Sequence, residues 1–167
     1  MNPRMMTGRI VADMLESDEE QQDPMLEHLR TFLPHYQHQE YELVVPFRGL
    51  TLVMHLDGFD ENPIKIGEYK TGVKWTEEMV HKHEQLDWYA LGVHLKFGMN
   101  PASIPIVLTW MPTQWRMGEE MPRPTGEIHN FDTRRGALEC IQIGKKIVTA
   151  FAQIEKFYNS ERKSIGL

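Results

Sequence analysis

The order of apolar patterns along this 167-residue chain predicts an α/β fold, with a mixed central sheet flanked by helices. Three observations carry that prediction. Helical spacing of apolar residues appears near the N-terminus, after Thr76 and near the C-terminus. Three strand-like runs, joined by short turns, lie between the first two helical regions. Two more such runs precede the last helix, so the order is helices, three strands, helix, strand, strand, helix.

Thr7–Glu16 places Ile10, Val11, Met14 and Leu15 on one side of a first helix. Ser17–Pro24 is acidic and polar and reads as an exposed loop. Met25–Leu33 forms a second helix with an apolar stripe of Leu26, Leu29, Phe32 and Leu33, and Pro34 ends it. His35 and His38 follow in a polar stretch, where solvated side chains are expected.

Strands are expected at about Glu40–Phe47, Leu50–Phe59 and Ile64–Thr71. Arg48-Gly49 makes the first turn and Asp60-Glu61-Asn62-Pro63 the second. In the second strand, Leu50, Leu52, Met54 and Leu56 share one face. Thr51, Val53, His55 and Asp57 share the other, so His55 is either a neighbour of Asp57 or a polar-face histidine.

Thr76 caps a helix expected to run from Glu77 to about Phe97, with two acids in its first turn. Gly98-Met99-Asn100-Pro101 stops it. Ile104–Trp110 reads as a buried strand, Gly126–Phe131 as its return, and Met117–Pro124 as a mobile loop able to approach a substrate. Trp110 and Trp115 are candidates for base stacking or for packing. Asp132 is the expected cap of a last helix over Thr133–Tyr158, with Ala137, Ile141, Val148, Phe151, Ile154 and Tyr158 on its apolar face; Ser160–Leu167 is expected to fray.

The chemistry-bearing stretch is LVMHLDGFDENPIKIGEYKTG, residues 52–72. Asp57 ends one apolar run; Glu68-Tyr69-Lys70 ends the next. Paired strands would bring the two carboxylates together, where they can hold a hard divalent cation. Glu68 and Lys70 lie two residues apart and share a strand face. Such a set suits a phosphodiesterase: the cation acidifies water and neutralises phosphate charge, and the lysine orients the water or stabilises the transition state. Asp60 and Glu61 rank below Asp57 because they fall in the turn.

Asp57, Glu68-Tyr69-Lys70-Thr71-Gly72 and the Gln85/Tyr89 pair resemble the motifs of the PD-(D/E)XK nucleases, in particular the RecB-like exonuclease group. The resemblance spans Tyr41 to Phe97. It implies a restriction-endonuclease-like αβββαβ core and a metal-dependent deoxyribonuclease, an exonuclease acting at DNA ends in recombination, repair or phage replication. It further implies Asp57, Glu68 and the Tyr69 carbonyl as ligands of Mg²⁺ or Mn²⁺, Lys70 as the catalytic lysine, and Gln85 and Tyr89 as substrate-binding residues. Two positions depart from the family. Met54 stands where a glycine is frequent, and Val11 where many members carry a metal-binding histidine, which leaves the number of metal ions open. The single Cys140 excludes the four-cysteine iron–sulfur cluster of some members.

Length and an apolar fraction of 41% fit a single domain over 1–167, with N-terminal helices in 1–38, the catalytic core in 39–131 and a C-terminal helix in 132–160. No apolar run suits a membrane span and no leader pattern opens the chain, so no membrane partner is expected. One cysteine suits a reducing compartment, such as the cytoplasm of a bacterial or phage-infected cell. The net charge of −6 does not advertise nucleic acid, but residues 132–167 carry seven bases against four acids. Arg134, Arg135, Lys145, Lys146, Lys65, Lys74 and Lys82 are the candidate DNA contacts, each also readable as a solvated charge. His81, His83 and His94 lack zinc-site spacing and are expected at the surface or facing DNA. Recombination or replication proteins are the expected protein partners. A non-cleaving nucleic-acid-binding or assembly module is the alternative, and a small-molecule metal hydrolase comes third.

Overall fold

The structure, a computed structural model, describes residues 3–16 and 23–164 of the chain. Residues 17–22 and 165–167, most of the expected acidic loop and the end of the expected frayed tail, lie outside the described residues. The fold is mixed α/β, with helices flanking a six-stranded mixed sheet.

Helices α1 (Pro3–Glu16) and α2 (Pro24–Phe32) open the chain. The Asp23 carboxylate accepts the Met25 N–H at 2.8 Å, and Pro24 occupies the first helical position, where its missing donor costs nothing. Strands β1 (His38–Phe47), β2 (Leu50–Glu61) and β3 (Ile64–Gly72) form an antiparallel meander. Along β2, Leu52, Met54 and Leu56 are buried while Thr51, Val53 and His55 are exposed, the alternation expected of a sheet covered on that side. Strand β4 (Ile106–Gln114) runs parallel to β3 and carries six consecutive buried residues, Ile106 to Met111, because helices cover both of its faces. Beyond it, β6 (His129–Thr133) and the two-residue β5 (Arg123–Pro124) pair antiparallel with β4.

The main core lies on one side of the sheet. Leu43, Val45, Leu56, Phe59 and Leu108 meet Leu86, Ala90 and Val93 of helix α4 (Glu84–Phe97), with Cys140, Ile143 and Ile147 of α5 (Ala137–Ser164) behind. A smaller core joins Val11 and Met14 of α1, Leu29 of α2 and Met111 of β4. Among the described residues, no helix is long and apolar enough to cross a membrane.

Four local expectations are corrected. The helix expected from Glu77 to Phe97 breaks into α3 (Glu77–His81) and α4. The Val80 carbonyl, which a continuous helix would use internally, accepts instead from the His83 N–H at 3.2 Å and the Arg135 guanidinium at 2.7 Å. Asp132 does not cap the last helix; it sits in β6 opposite Val107. The Gly136 N–H donates to the Glu139 carboxylate at 3.0 Å, a reciprocal cap reached from the third residue of α5. The face of α5 expected to be buried is also wrong. Cys140, Ile143 and Ile147 are buried, while Ile141, Val148, Phe151, Ile154 and Tyr158 are exposed. Both faces of the helix are apolar, and packing against α4 selects the first. The helix also continues to Ser164, through part of the tail expected to fray.

Candidate active site

The site forms where β2 and β3 fork. Their ladder ends at Gly58 opposite Gly67; the next step along the same register would pair Asp57 with Glu68. There β3 turns from β2 toward β4, and from Ile66 onward it pairs in parallel with β4. The Tyr69 N–H donates at 2.7 Å to the Asp57 carboxylate. A backbone donor at the fork is thereby satisfied by an acid side chain.

Tyr36 fills the inner side of the fork. A Cβ at Gly58 or Gly67 would lie 2.2 Å and 2.4 Å from its ring, so the two glycines open the space that the ring occupies. Its edge meets Tyr69 with centroids 6.2 Å apart. The Tyr69 hydroxyl donates to the Pro34 carbonyl, tying β3 to the segment after α2.

Asp57, Glu68, Tyr69, Lys70 and Gln85 line one cavity of about 290 Å³, closed on one side by Gly8, Arg9, Val11 and Ala12 of α1. Glu68 is 1% exposed. One of its carboxylate oxygens accepts from the Lys70 ammonium; the other, Oε2, is buried and makes no hydrogen bond of normal geometry, although the Asp57 carboxyl and the Tyr89 hydroxyl lie next to this carboxyl. Burial first, then the neighbouring Asp57 charge, pushes the Glu68 carboxyl up to about 7, against the pull of Lys70. Burial also raises Asp57, opposed by the Tyr69 N–H and by Lys70. A buried and a half-buried carboxylate side by side favour either a proton or a cation.

Lys70 is held from a second direction. Its ammonium donates to Gln85 Oε1 at 3.1 Å, and His83 Nε2 lies 3.1 Å from the same oxygen. The Gln85 amide nitrogen donates at 2.5 Å to the Tyr89 hydroxyl, which donates at 2.7 Å to the His55 carbonyl. A polar relay therefore runs from Lys70 through α4 to the backbone of β2. Burial, then the Lys70 charge, lowers the His83 pKa, which keeps its ring neutral beside the ammonium.

The structure thus brings Asp57, Glu68, Tyr69, Lys70 and Gln85 together. The Tyr89 ring is in the main core, while its hydroxyl bonds Gln85 and lies beside the Glu68 carboxyl. His55 points away, with its imidazole 3.9 Å from Glu42 on the exposed face of the sheet. Asp60 and Glu61 brace the chain entering β1, accepting the Gln37 N–H at 2.7 Å and donating a backbone N–H to the Gln37 side chain at 2.9 Å, respectively. Val11 lies on the cavity wall, where the resemblance places a histidine in other proteins. Among the described residues, no group of three or more His, Cys, Asp or Glu side chains stands ready to hold a metal.

Arg135 is corrected as a DNA contact. It is 1% exposed and bonds Asp87 at 2.5 Å, Thr133 at 2.8 Å and the Val80 carbonyl. Lys82 and Lys146 are exposed and paired with Glu78 and Glu84. Lys65 sits 5.3 Å from the Tyr36 ring centroid. Trp110 is a packing residue, stacked on His129 with its indole N–H donating to the Gly72 carbonyl at 3.3 Å, whereas Trp115 is exposed. The loop before β5 packs on α1 and α2, where the Thr7 hydroxyl donates to the Pro122 carbonyl at 2.6 Å. Its residues do not line the cavity.

Sequence reasoning missed Tyr36, Gln39, Glu40 and Met111. The first fills the fork and the others line the cavity. The glycine pair at 58 and 67 was the available signal for Tyr36. Glu40 has a left-handed backbone, φ 51°, which no residue pattern announces. No family model matches this chain, and no curated protein or solved structure matches it either.

Proposed function

We propose that this protein is a metal-dependent deoxyribonuclease of the PD-(D/E)XK, RecB-like kind, an exonuclease hydrolysing phosphodiester bonds at DNA ends in recombination, repair or phage replication. The observation that carries the reading is Glu68 Oε2, a buried carboxylate oxygen without a hydrogen bond of normal geometry, beside Asp57 and within reach of a fixed ammonium. The residues present fit a hard divalent ion. Asp57 and Glu68 would hold it together with the Tyr69 carbonyl, and Mg²⁺ is commonly bound by only one or two carboxylates plus water and substrate phosphate. When bound, Mg²⁺ or Mn²⁺ supplies an acidified water and positive charge toward a phosphate.

The chain's own residues do the rest. Gln85 and Glu68 fix the Lys70 ammonium at the cavity, where it can hold the attacking water or the charge that develops on phosphate oxygens. Tyr89 holds Gln85, and through it Lys70, at a set distance from β2. Helix α1 closes one wall of the cavity, leaving Arg9 among its lining residues as a cation toward the phosphate backbone. The single buried cysteine suits a reducing cytoplasm.

Val11 at the cavity wall favours a second reading, a non-cleaving nucleic-acid-binding or assembly module on the same fold. One experiment separates the two. Single strands, duplexes and circles labelled at either end are incubated with Mg²⁺, Mn²⁺ or EDTA. The nuclease reading expects metal-dependent loss of linear substrate, with circles spared. Lys70→Ala should lower single-turnover cleavage about 10²–10³-fold with an unchanged circular dichroism spectrum. DNA binding without cleavage of any substrate in either metal would establish the second reading.

A further inference from the structure

The apolar face of α5 that the fold leaves uncovered is the unexplained surface of this molecule. Ile141, Val148 and Phe151 are 53%, 37% and 46% exposed, and Tyr158 is exposed on the same side. Ile141, Val148, Phe151, Glu155 and Tyr158 succeed one another at intervals of seven, three, four and three residues, the spacing with which one helix meets another. Gly144 completes the series and is covered by Phe47 of the same chain. Beside this face runs a groove of about 710 Å³, walled by Phe47, Leu91, Leu95, Ile141 and Val148, with Arg48 and Lys145 among its polar lining.

We propose that two copies of this chain pair antiparallel through α5, about a two-fold axis between Thr149 and Ala150. Three features select a second copy as the occupant. First, the surface is self-complementary. In this register the partner's Phe151 meets Val148, the partner's Tyr158 meets Ile141, and each contact occurs twice, as an isologous interface requires. The arm of one helix fills the groove of the other. Second, the charges agree. Glu155 of each copy falls opposite Gly144 of the other, one residue from Lys145 and near Arg48, so the acid in the apolar series comes beside the cations of the groove. A parallel pair would instead set Glu155 against Glu155. Third, the area suffices. The exposed parts of Ile141, Val148, Phe151, Ile154 and Tyr158, with Leu95 at the groove, come to about 600 Å² per copy, or about 1,200 Å² for the pair, the lower end of stable interfaces.

Sedimentation equilibrium of the full chain tests the pairing. A dimer is expected, dissociating on dilution. Phe151→Glu and Ile154→Glu should each weaken it about thirtyfold or more. Both residues lie outside the packed core, and circular dichroism should remain that of wild type. Lys145→Glu and Glu155→Lys should each weaken it about tenfold, and the double exchange should restore it. A monomer at every concentration up to about 100 μM would overturn the proposal. So would a dimer indifferent to Phe151→Glu and Ile154→Glu, or a failure of the double exchange to restore association.

Discussion

Glu68 sits between two demands. Folding buries it, and the cavity leaves one of its oxygens without a hydrogen bond of normal geometry. Its carboxyl is raised from 4.5 to about 7 in the folded chain. A raised acid favours the protonated folded state, so its contribution to stability is present below about pH 4.5 and is lost as pH rises toward 7. In EDTA, the melting-temperature advantage of Glu68→Gln over wild type should therefore be larger at pH 8 than at pH 5, by several degrees, and differential scanning calorimetry at the two pH values checks it. An advantage equal at both would remove Glu68 from this titration window. Tyr89 makes the opposite case, a residue expected to contact substrate whose ring packs in the core while its hydroxyl lies beside the Glu68 carboxyl. Its hydroxyl is a donor to the His55 carbonyl and an acceptor for Gln85. Tyr89→Phe should cost about 1–3 kcal/mol of stability, because buried partners lose their bonds. On the proposed nuclease reading, it should slow cleavage through a loosened Lys70 rather than through weaker DNA binding. A DNA affinity that falls as much as the cleavage rate would restore direct contact.

At the scale of elements, the fork of β2 and β3 depends on two glycines and one ring. With Cβ atoms at 58 or 67 meeting the Tyr36 ring well inside contact distance, alanine there must displace the ring or part the strands. Gly67→Ala should lose about 1–3 kcal/mol in urea unfolding, in the range of overpacked sites. Tyr36→Ala combined with Gly67→Ala should lose less than the two separate losses added, since the clash then has no object. Strict additivity would mean that the ring and the glycine do not share this space. The three-strand meander, its first turn and the alternation along β2 were legible in the residues, because a strand half-covered by a core must alternate; the second turn is shorter than expected, Asn62-Pro63 alone, with Asp60 and Glu61 paired in the ladder to β3. The break between α3 and α4 was not. Thr76 through Phe97 reads as one helix locally, and Arg135, arriving from far along the chain, joins the His83 N–H in drawing off the Val80 carbonyl.

For the whole molecule, Arg135 is the polar joint between α3, α4 and β6. Its guanidinium reaches Val80, Asp87 and Thr133 from a position with almost no solvent contact. Arg135→Met should destabilise the protein by about 3–5 kcal/mol, because Asp87 is left partly buried without its cation. Arg135→Met with Asp87→Asn should recover part of that loss, measured by the same unfolding curves. A loss under about 1 kcal/mol for the single change would mean that the pair is a surface one in solution.

The residues alone determined the α/β class, the meander, the helix near the N-terminus and the pairing of Asp57 with Glu68-Tyr69-Lys70, because hydrophobic period and turn chemistry are local properties of a chain. Gln85 was placed beside Lys70 by the family resemblance alone, since residue pattern by itself reads it as a boundary residue of the helix. Tertiary structure alone decided that the Tyr89 ring is buried, that Arg135 is a buried joint and that α5 turns Cys140, Ile143 and Ile147 inward. Each of these outcomes was a choice between two faces or two environments that the residue itself permits. An arginine tolerates water or a set of buried acceptors, and a helix apolar on two sides can bury either. The free-energy difference lies in the partner surface, and that surface exists only when distant segments have met.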